Sequence, residues 1–390
     1  MKLNFAAPCL FGLESLVADE LRQMGAEAVT ADNGRVFFAG DEALLARANI
    51  CSRFAERILV VLGSFEAHTF EDLFQGVKNL PLENWIGVQD EFPVKGYSLK
   101  SDLFSVRDCQ AIIKKAAVER LKGVYGVEWF QETGTRYRLD FSILKNQVHI
   151  FLDTTGVPLH KRGYRPTAND APMRETLAAA LCALSRLRPY HTLYDPMCGS
   201  GTILIEGAML AQNIAPGLKR PFAAERFLQI PREIWAAERE KAETAVTDAP
   251  DFIAYGADTD RAALKTAREN ALRAGVSDKI VLEYGDVRRF QPKTERGTLV
   301  TNPPYGERLA DTKYAAELIR AMGNVFGRKH GFSYSIISPS FHFPHQSNLP
   351  STLLCDRFSF SGLPSGIRPR RSCILPTQTF PVRFRFPCCR

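Results

Sequence analysis

The residue run with the clearest chemical potential reads Asn-Pro-Pro-Tyr at positions 302–305, directly after a short apolar strand. The Asn302 side-chain oxygen and the Pro303 carbonyl can accept both N–H bonds of a planar exocyclic amine. Tyr305 offers a flat face to the ring that carries that amine. Two such acceptors favour a more tetrahedral nitrogen and aim its lone pair at an electrophile held nearby. The run therefore indicates methyl transfer to a nucleobase or amide nitrogen, although a plain Pro303-Pro304 turn explains it equally well by itself.

A glycine-rich turn lies upstream, at residues 193–202 with the sequence LYDPMCGSGT. An apolar strand enters it and an apolar helix leaves it, and Gly199 and Gly201 let the backbone bend sharply and approach a ligand closely. Such turns serve nucleotide sites of several kinds, so this one is a weak signal by itself. A Lys-Ser or Lys-Thr pair does not follow it, which argues against a triphosphate-binding loop.

Two acidic residues end the next two predicted strands. Asp258 follows the strand at residues 252–257, where a carboxylate can accept hydrogen bonds from ribose hydroxyls. Asp286 follows the strand at residues 280–285 and can accept a bond from an adenine amino group. Each could instead cap the helix that comes after it. Four functional strand ends in chain order favour one site at the carboxyl edge of a parallel sheet.

These four motifs resemble those of the S-adenosylmethionine-dependent class I methyltransferases that modify exocyclic amines. Two further runs are more specific. Residues 159–165 (LHKRGYR) and 171–181 (APMRETLAAAL) resemble the entry to the catalytic domain of bacterial THUMP-domain RNA (guanine-N2) methyltransferases. Residues 92–98 and 213–217 are similar to other stretches of the same family, and the resemblance covers roughly residues 1–338.

The resemblance implies an α/β fold, with a class I methyltransferase-type doubly wound, mostly parallel sheet preceded by α+β ferredoxin-like and THUMP modules. It implies S-adenosyl-L-methionine as the cofactor and N2-methylation of a guanosine, most often in large-subunit ribosomal RNA. The implied catalytic residues are Asn302, Pro303, Pro304 and Tyr305. The implied cofactor-binding residues are Asp195, Pro196, Cys198, Gly199, Gly201, Thr202, Asp258, Asp286 and Asn302.

Other acceptors fit the same run of residues. A transfer RNA guanosine, a DNA adenine or a protein glutamine amide each carries a suitable amino group, and the N-terminal modules favour RNA by resemblance. A different class of protein is an RNA-binding ribosome-assembly factor whose catalytic sheet no longer works. The presence of Asp195, Asp258, Asp286 and Asn302 argues against that interpretation.

Composition places the chain among ordinary globular proteins, with 390 residues, 45% hydrophobic and 24% charged. It shows no membrane-spanning apolar run and no signal-peptide pattern. The nine cysteines form no C-x-x-C pair, so we expect reduced thiols, a cytoplasmic location and no metal. The net charge of +7 divides into −1 for residues 1–165, +2 for 166–338 and +6 for 339–390. Overall charge is therefore poor support for nucleic-acid binding, and local clusters must carry that argument.

The elements that position the motifs suggest five segments. The order βαββαβ predicts a ferredoxin-like unit, and the resemblance identifies the next module as the RNA-binding THUMP element. Alternating helices and apolar strands from Pro172 onward predict the doubly wound sheet, interrupted between residues 213 and 249 by a charged helical insertion. The segments are 1–65 (ferredoxin-like unit), 66–158 (THUMP module), 159–171 (basic linker), 172–338 (methyltransferase domain) and 339–390 (tail).

Cations gather in two places that could track RNA phosphates. The first is the THUMP module, and the second is the linker, where an aromatic residue and a glycine interleave with three cations, as suits single-stranded RNA. A solvated helix face and a linker packed on acidic neighbours are the competing interpretations. The predicted RNA-binding residues are Lys95, Lys114, Lys115, Lys161, Arg162, Tyr164 and Arg165.

The tail at residues 339–390 departs from the family pattern. It contains eight prolines and four cysteines but no Lys or Glu, and the basic closing hairpin of the family is absent from it. Prolines remove ladder donors, so we expect this segment to be loosely packed or disordered. A frameshift and natural divergence would each account for the departure.

Overall fold

The computed structural model describes residues 2–165, 173–304, 309–326 and 331–337. Its first module has the predicted βαββαβ order. The Asp41 side chain starts the second helix by accepting the Leu44 N–H at 2.8 Å, as an N-cap should. The elements are β1 (Leu3–Pro8), α1 (Glu14–Gln23), β2 (Glu27–Asp32), β3 (Arg35–Gly40), α2 (Glu42–Cys51) and β4 (Leu59–Glu66).

The second module adds two helices and three strands. Thr69 and Asp72 form a capping box at the start of its first helix. Gly126, at φ 65°, ends the long second helix in the left-handed region, where glycine has no steric cost. The hairpin turns at Lys145 and Asn146. The elements are α3 (Phe70–Lys78), β5 (Val94–Leu99), α4 (Val106–Tyr125), β6 (Leu139–Leu144) and β7 (Gln147–Asp153).

Strand β4 joins the two modules into one sheet. It pairs with β1 through two residues and with β7 along its whole length, which gives the order β2-β3-β1-β4-β7-β6-β5 among the described residues. The Arg35 guanidinium in β3 reaches the Ser142 hydroxyl in β6 at 2.8 Å and the Tyr97 hydroxyl in β5 at 2.6 Å. These strands are at least four places apart in the strand order, so the contacts show that the sheet is bent.

The third part of the chain contains a second sheet, whose described strands have the order β10-β9-β8-β11-β12 and are all parallel. The direction of winding reverses between β8 and β11, and ligands bind beside such a reversal. The elements are α5 (Glu175–Leu184), β8 (Thr192–Asp195), α6 (Thr202–Ala211), α7 (Arg232–Thr244), β9 (Ile253–Asp258), α8 (Arg261–Ala274), β10 (Ile280–Tyr284), β11 (Gly297–Thr301), α9 (Leu309–Phe326) and β12 (Phe332–Ile336).

Apolar side chains cover both faces of this sheet. Helix α6 is buried along its whole length on one face. On the other face Tyr194 and Leu299 pack with Phe326 of α9. When both faces of a sheet are covered, its strands consist of continuous apolar runs. The short strands of this sheet were therefore recognisable from the sequence.

Some expectations concern residues outside the described ranges. Tyr305, the linker residues from 166 onward and the tail at 339–390 belong to this group. The five segment boundaries remain predictions. Across the described parts of the chain, no helix combines the length and the apolar character needed to cross a membrane.

Candidate active site

The glycine-rich turn connects β8 to α6 and is held by backbone bonds. Gly199 and Gly201 have φ values of 50° and 80°, so both require the left-handed region. A Cβ added at Gly201 would lie 3.0 Å from the Ala267 Cβ of α8, so the turn also needs glycine for close packing. The Asn270 side chain of α8 donates to the Ser200 carbonyl at 3.1 Å and anchors the turn from the same side.

Asp258, at the end of β9, is built into this turn. One of its carboxylate oxygens accepts the Gly199 N–H at 2.8 Å, and the other accepts the Asp260 N–H at 2.9 Å. Asp260 is the residue that caps α8, through the Ala262 N–H at 2.8 Å. A carboxylate has about four acceptor sites, so Asp258 keeps capacity for ribose hydroxyls. Its predicted role is therefore compatible with its structural one.

Replacing Asp258 with alanine is expected to weaken S-adenosylmethionine binding by roughly 1.5–3 kcal/mol, the usual range for a hydrogen bond to a charged group. Isothermal titration of the full chain measures this directly. Asp260→Ala is the matched control, because it removes the cap of α8 and should lower the melting temperature without changing cofactor affinity. Equal cofactor affinity in the wild type and Asp258→Ala would refute the ribose assignment.

Asp195 links the glycine-rich turn to the Asn-Pro-Pro run. The Thr301 hydroxyl at the end of β11 donates to its carboxyl at 2.7 Å, and the Met197 N–H donates at 3.2 Å. Asp195 is 1% exposed, and burial raises its pKa to about 7 against the lowering effect of these two bonds. The negative charge of the neighbouring Asp258 contributes to this raised pKa. The carboxyl can therefore change its charge near neutral pH.

This pKa leads to a pH-dependence. The folded pKa lies above the ordinary value, so the protonated carboxyl stabilises the fold at low pH, and this contribution is lost as the pH rises through about 7. A bound sulfonium cation should favour the ionised form. We expect the affinity for S-adenosylmethionine to rise severalfold between pH 6 and pH 8, within the tenfold that one pKa unit allows.

S-adenosylhomocysteine carries a neutral sulfur and should show a smaller rise, which makes it the control ligand. Asp195→Asn keeps the shape of the side chain and should flatten the curve for S-adenosylmethionine. The same slope for both ligands in the wild-type protein would count against the assignment of Asp195 to the methionine end of the cofactor.

Asp286 differs from expectation in its local contacts. It caps a short 3-10 turn by accepting the Arg288 N–H at 2.9 Å, and the Arg288 guanidinium bonds to both carboxylate oxygens. The Arg288 side chain lowers the pKa of Asp286. The capping alternative is thus realised here, and any bond to an adenine amino group must share the carboxylate with Arg288. The adenine role remains a prediction.

A cleft with a volume of about 680 Å³ opens between these strand ends, a size that suits a nucleoside-containing ligand. Its wall includes Pro196, Ala257, Gly285 and Asp286, at the ends of β8, β9 and β10. Tyr284 is 61% exposed at its edge, where the Arg261 guanidinium lies 4.7 Å from the ring centroid. Of the predicted cofactor residues, Pro196 and Asp286 line this cleft, whereas Asp195, the glycine-rich turn and Asp258 lie at the same carboxyl edge of the sheet without lining it.

The acceptor run begins directly after β11. Asn302 is half-buried, Pro303 is buried and Pro304 is exposed. Strand β11 lies beside β8, so Asn302 follows the residue that bonds to Asp195. Cys198 and Thr202, the other predicted turn residues, are both buried. The catalytic assignments of Asn302, Pro303, Pro304 and Tyr305 remain predictions.

The linker prediction is wrong for two residues. Arg162 is 5% exposed and Tyr164 4% exposed, and both point to the fully buried Glu206 of α6. The Tyr164 hydroxyl donates to Glu206 at 3.0 Å, and an Arg162 nitrogen lies 3.5 Å from the other carboxylate oxygen. The competing interpretation, a linker packed on an acidic neighbour, is the one realised. Neither side chain is available for single-stranded RNA.

Two other predicted RNA contacts are committed to protein partners. Arg165 forms an ion pair with Glu175 at 2.7 Å and donates to the Thr202 hydroxyl at 3.2 Å, at the start of α6. Lys114 pairs with Glu132, and its nitrogen lies 3.4 Å from the centroid of the Phe92 ring. The side chains of Lys95, Lys115 and Lys161 are exposed, so an RNA role is open to them.

Sequence reasoning missed several residues that shape the site. Thr301 and Asn270 act through single hydrogen bonds to Asp195 and Ser200, which no motif marks. Glu206 carried a detectable signal, because it is the one charged residue in the run TILIEGAMLA that forms α6. A carboxylate in so apolar a helix requires buried partners.

Comparison with known proteins gives the family. The model of the RMKL-like methyltransferase domain matches residues 162–344, the THUMP domain matches 67–153, and the RlmL ferredoxin-like domain matches 4–59. The candidate RNA methyltransferase YpsC of Bacillus subtilis is 44% identical over 328 residues, which are 83% of this chain and 85% of YpsC. The chain belongs to the THUMP-containing class I RNA methyltransferases. This confirms the family and fold that the motifs predicted.

Relatives and solved structures extend the comparison. This chain is 35% identical over 332 residues to the ribosomal RNA large subunit methyltransferase K/L of Psychromonas ingrahamii. The match covers 83% of this chain and 44% of that relative. It thus spans about half the length of the K/L relative. A Clostridium difficile 630 protein described as a possible methylase has a TM-score of 0.84, with 40% identity over 87% of this chain and 90% of its own.

The candidate methyltransferase SMU.472 was crystallised with SAH and has a TM-score of 0.81, with 37% identity over 87% of this chain and 90% of its own. The cleft of this protein fits such a ligand, because its volume suits a nucleoside and residues at the carboxyl ends of β8, β9 and β10 line it. The protein is an S-adenosylmethionine-dependent RNA methyltransferase. Among the described residues, no group of three or more His, Cys, Asp or Glu is placed to hold a metal ion.

Proposed function

We propose that this methyltransferase transfers a methyl group to N2 of a guanosine in large-subunit ribosomal RNA. The observation that supports this most directly is the position of Asn302 and Pro303. They follow β11 at the point where Thr301 bonds to Asp195 of the glycine-rich turn. An exocyclic amine held there would lie at the carboxyl edge of the sheet, the edge at which Pro196, Ala257 and Asp286 line the cleft. The similarity to the K/L relative supports ribosomal RNA as the substrate. A ribosomal substrate in turn implies a cytoplasmic enzyme.

The proposed reaction needs orientation more than acid–base chemistry. S-adenosylmethionine, when bound, supplies an electrophilic methyl group and its own leaving group. Asn302 and Pro303 accept the two N–H bonds of the guanine amine and turn its lone pair toward that methyl carbon. With the cofactor bound, transfer of its methyl group to the guanine nitrogen would leave S-adenosylhomocysteine, and the methylated nitrogen would lose one proton to solvent. The target base must leave its stack to reach the site, so an open loop suits this enzyme best.

A reconstituted reaction tests this function. The full chain, S-adenosylmethionine and unmodified transcripts of large-subunit ribosomal RNA are incubated, and digested nucleosides are identified by mass spectrometry. N2-methylguanosine in the ribosomal transcript is the expected product, with Asn302→Ala as the inactive control. Methylation of transfer RNA but not ribosomal RNA would redirect the assignment, and N6-methyladenosine would refute guanine as the base.

The exposed lysines allow a separate test of RNA binding. If Lys95 and Lys115 contact phosphates, each charge reversal to glutamate should weaken binding and reduce the slope of log affinity against log salt by about one. Lys114→Glu is an unsuitable probe, because this residue is paired with Glu132. Lys145→Glu, at the hairpin turn, is a better surface control. An unchanged salt slope in the Lys95 and Lys115 variants would remove these residues from the RNA-binding surface.

A further inference from the structure

The insertion at residues 213–249 contacts both N-terminal modules and the linker. It leaves the catalytic sheet after α6, which begins at the glycine-rich turn, and returns at β9, which ends in Asp258. None of the side chains that line the cleft belongs to it. The insertion is therefore joined through the chain to α6 and β9, two elements of the candidate site, and does not itself line the cleft.

Its contact with the first module centres on Glu238 of α7. The Glu238 side chain is 2% exposed, and its two oxygens accept from the Arg47 guanidinium of α2 at 2.7 and 2.9 Å. The Gly217 N–H donates to the Ile50 carbonyl at 2.8 Å. A Cβ at Gly217 would lie 2.8 Å from the Ile50 Cα, so the two backbones touch directly. A bidentate ion pair to a buried carboxylate and a backbone bond together define one orientation.

The contact with the THUMP module centres on Gln229. Its amide nitrogen donates to the carbonyls of Asn84 and Trp85 at 3.0 and 2.9 Å. The Tyr137 hydroxyl lies 3.3 Å from its amide oxygen, and the Tyr137 ring stacks on Phe227 with centroids 4.3 Å apart. The contact therefore combines a stacked aromatic pair with three hydrogen bonds of the Gln229 amide.

The linker is held by a third group, the buried Arg220 guanidinium. It donates to the carbonyls of Val157, Pro158 and Lys161, the last two at 2.8 Å. The N–H groups of Ala223 and Ala224 also donate to the Thr155 and Thr154 carbonyls at the end of the THUMP module, at 3.3 and 3.0 Å. One segment thus holds three parts of the chain that precede the catalytic domain.

We propose that the insertion is a clamp that fixes the RNA-binding half on the methyltransferase domain, with Glu238, Arg220 and Gln229 as positioning residues. This rests on the proposed function. Domains joined by a linker move relative to each other by default, and a misplacement of about 1 Å at a reacting centre can cost about 100-fold in rate. The clamp keeps the distance from bound RNA to Asn302 constant, and so selects the guanosine that enters the site.

The test uses the full chain with Glu238→Gln and Gln229→Ala, singly and together. Glu240→Gln is the matched control, because Glu240 is exposed on the same helix. We expect the double variant to bind RNA and S-adenosylmethionine within about twofold of the wild type while its single-turnover rate falls about tenfold or more. Mapping of the methylated nucleotides should show methyl groups on neighbouring guanosines. A purely structural role would lower the melting temperature without moving methylation to new positions.

Hydrogen exchange separates the clamp from the proposed function, because it needs no RNA. The N–H groups of Gly217, Ala223 and Ala224 bond across the contact, and their exchange should be at least about tenfold faster in the double variant. Unchanged exchange, rate and methylation pattern in a folded variant would overturn the clamp. Faster exchange in the double variant, together with no methylation of ribosomal RNA by the wild type, would support the clamp and refute the proposed substrate. If the double variant does not fold, the single variants answer the same question.

Discussion

Asn302→Ala is expected to slow methyl transfer at least about 100-fold while cofactor affinity stays within about twofold, a loss typical of removing one preorganised hydrogen-bonding group at a reacting centre. The Asn302 oxygen acts on the acceptor amine, so its contribution should appear in the transition state rather than in cofactor binding. Single-turnover methylation at saturating RNA and cofactor measures the rate, and isothermal titration measures the affinity. Asn302→Asp keeps an acceptor oxygen in place and should retain more activity than the alanine variant.

The contrast between these two variants makes the test specific. Thr301 bonds to Asp195 through its own side chain, so neither substitution removes that contact. If Asn302→Ala loses cofactor affinity and recovers its full rate with excess cofactor, then Asn302 serves the cofactor and not the base.

Glu206→Ala is expected to lower the free energy of unfolding by about 3–5 kcal/mol, because it leaves the buried Arg162 charge without a carboxylate. It also deprives the Tyr164 hydroxyl of its acceptor, while Arg162 keeps its bonds to the Leu159 and Arg53 carbonyls. Urea denaturation of the full chain, followed by circular dichroism, gives the measurement. Unfolding must be fitted with attention to intermediates in a chain of this size.

A double variant isolates the ion pair. Glu206→Ala with Arg162→Met removes both charges and should be more stable than Glu206→Ala. The surface control is Glu283→Ala, since Glu283 pairs with Lys293 at half exposure and should contribute less than about 1 kcal/mol. A loss below that level in Glu206→Ala would show that water or a shifted neighbour replaces the carboxylate.

The sequence predicted the site where its signals were local. Each strand end carries its functional residue within a few positions of an apolar run, and strand order then assembles Asp195, Asp258 and Asn302 at one edge. Apolar runs and the turn residues that end them are properties of neighbouring residues, so they are visible without the fold. The glycine requirement at Gly201 was also local, although the reason for it includes α8, far along the chain.

The predictions that were wrong concern side chains whose partners lie far away in the sequence. Arg162 and Tyr164 look like an exposed basic linker until Glu206, more than 40 residues later, is brought beneath them. The sequence predicted the insertion only as a charged helical segment, and it gave no sign that the Glu238 carboxylate is buried against Arg47, 191 residues away in sequence. Charge in a sequence predicts exposure only when no distant partner exists, and a single sequence does not reveal that partner.

Strand β4 has a consequence for how the parts of this protein can be exchanged. It falls between the region that matches the ferredoxin-like domain, which ends at residue 59, and the region that matches the THUMP domain, which begins at residue 67. A gene fusion that cut between those regions would remove the partner of β7 and leave its seven paired residues as an open sheet edge, a template for aggregation. We therefore expect an exchange of the second module between such proteins to preserve its sheet only when β4 is transferred with it.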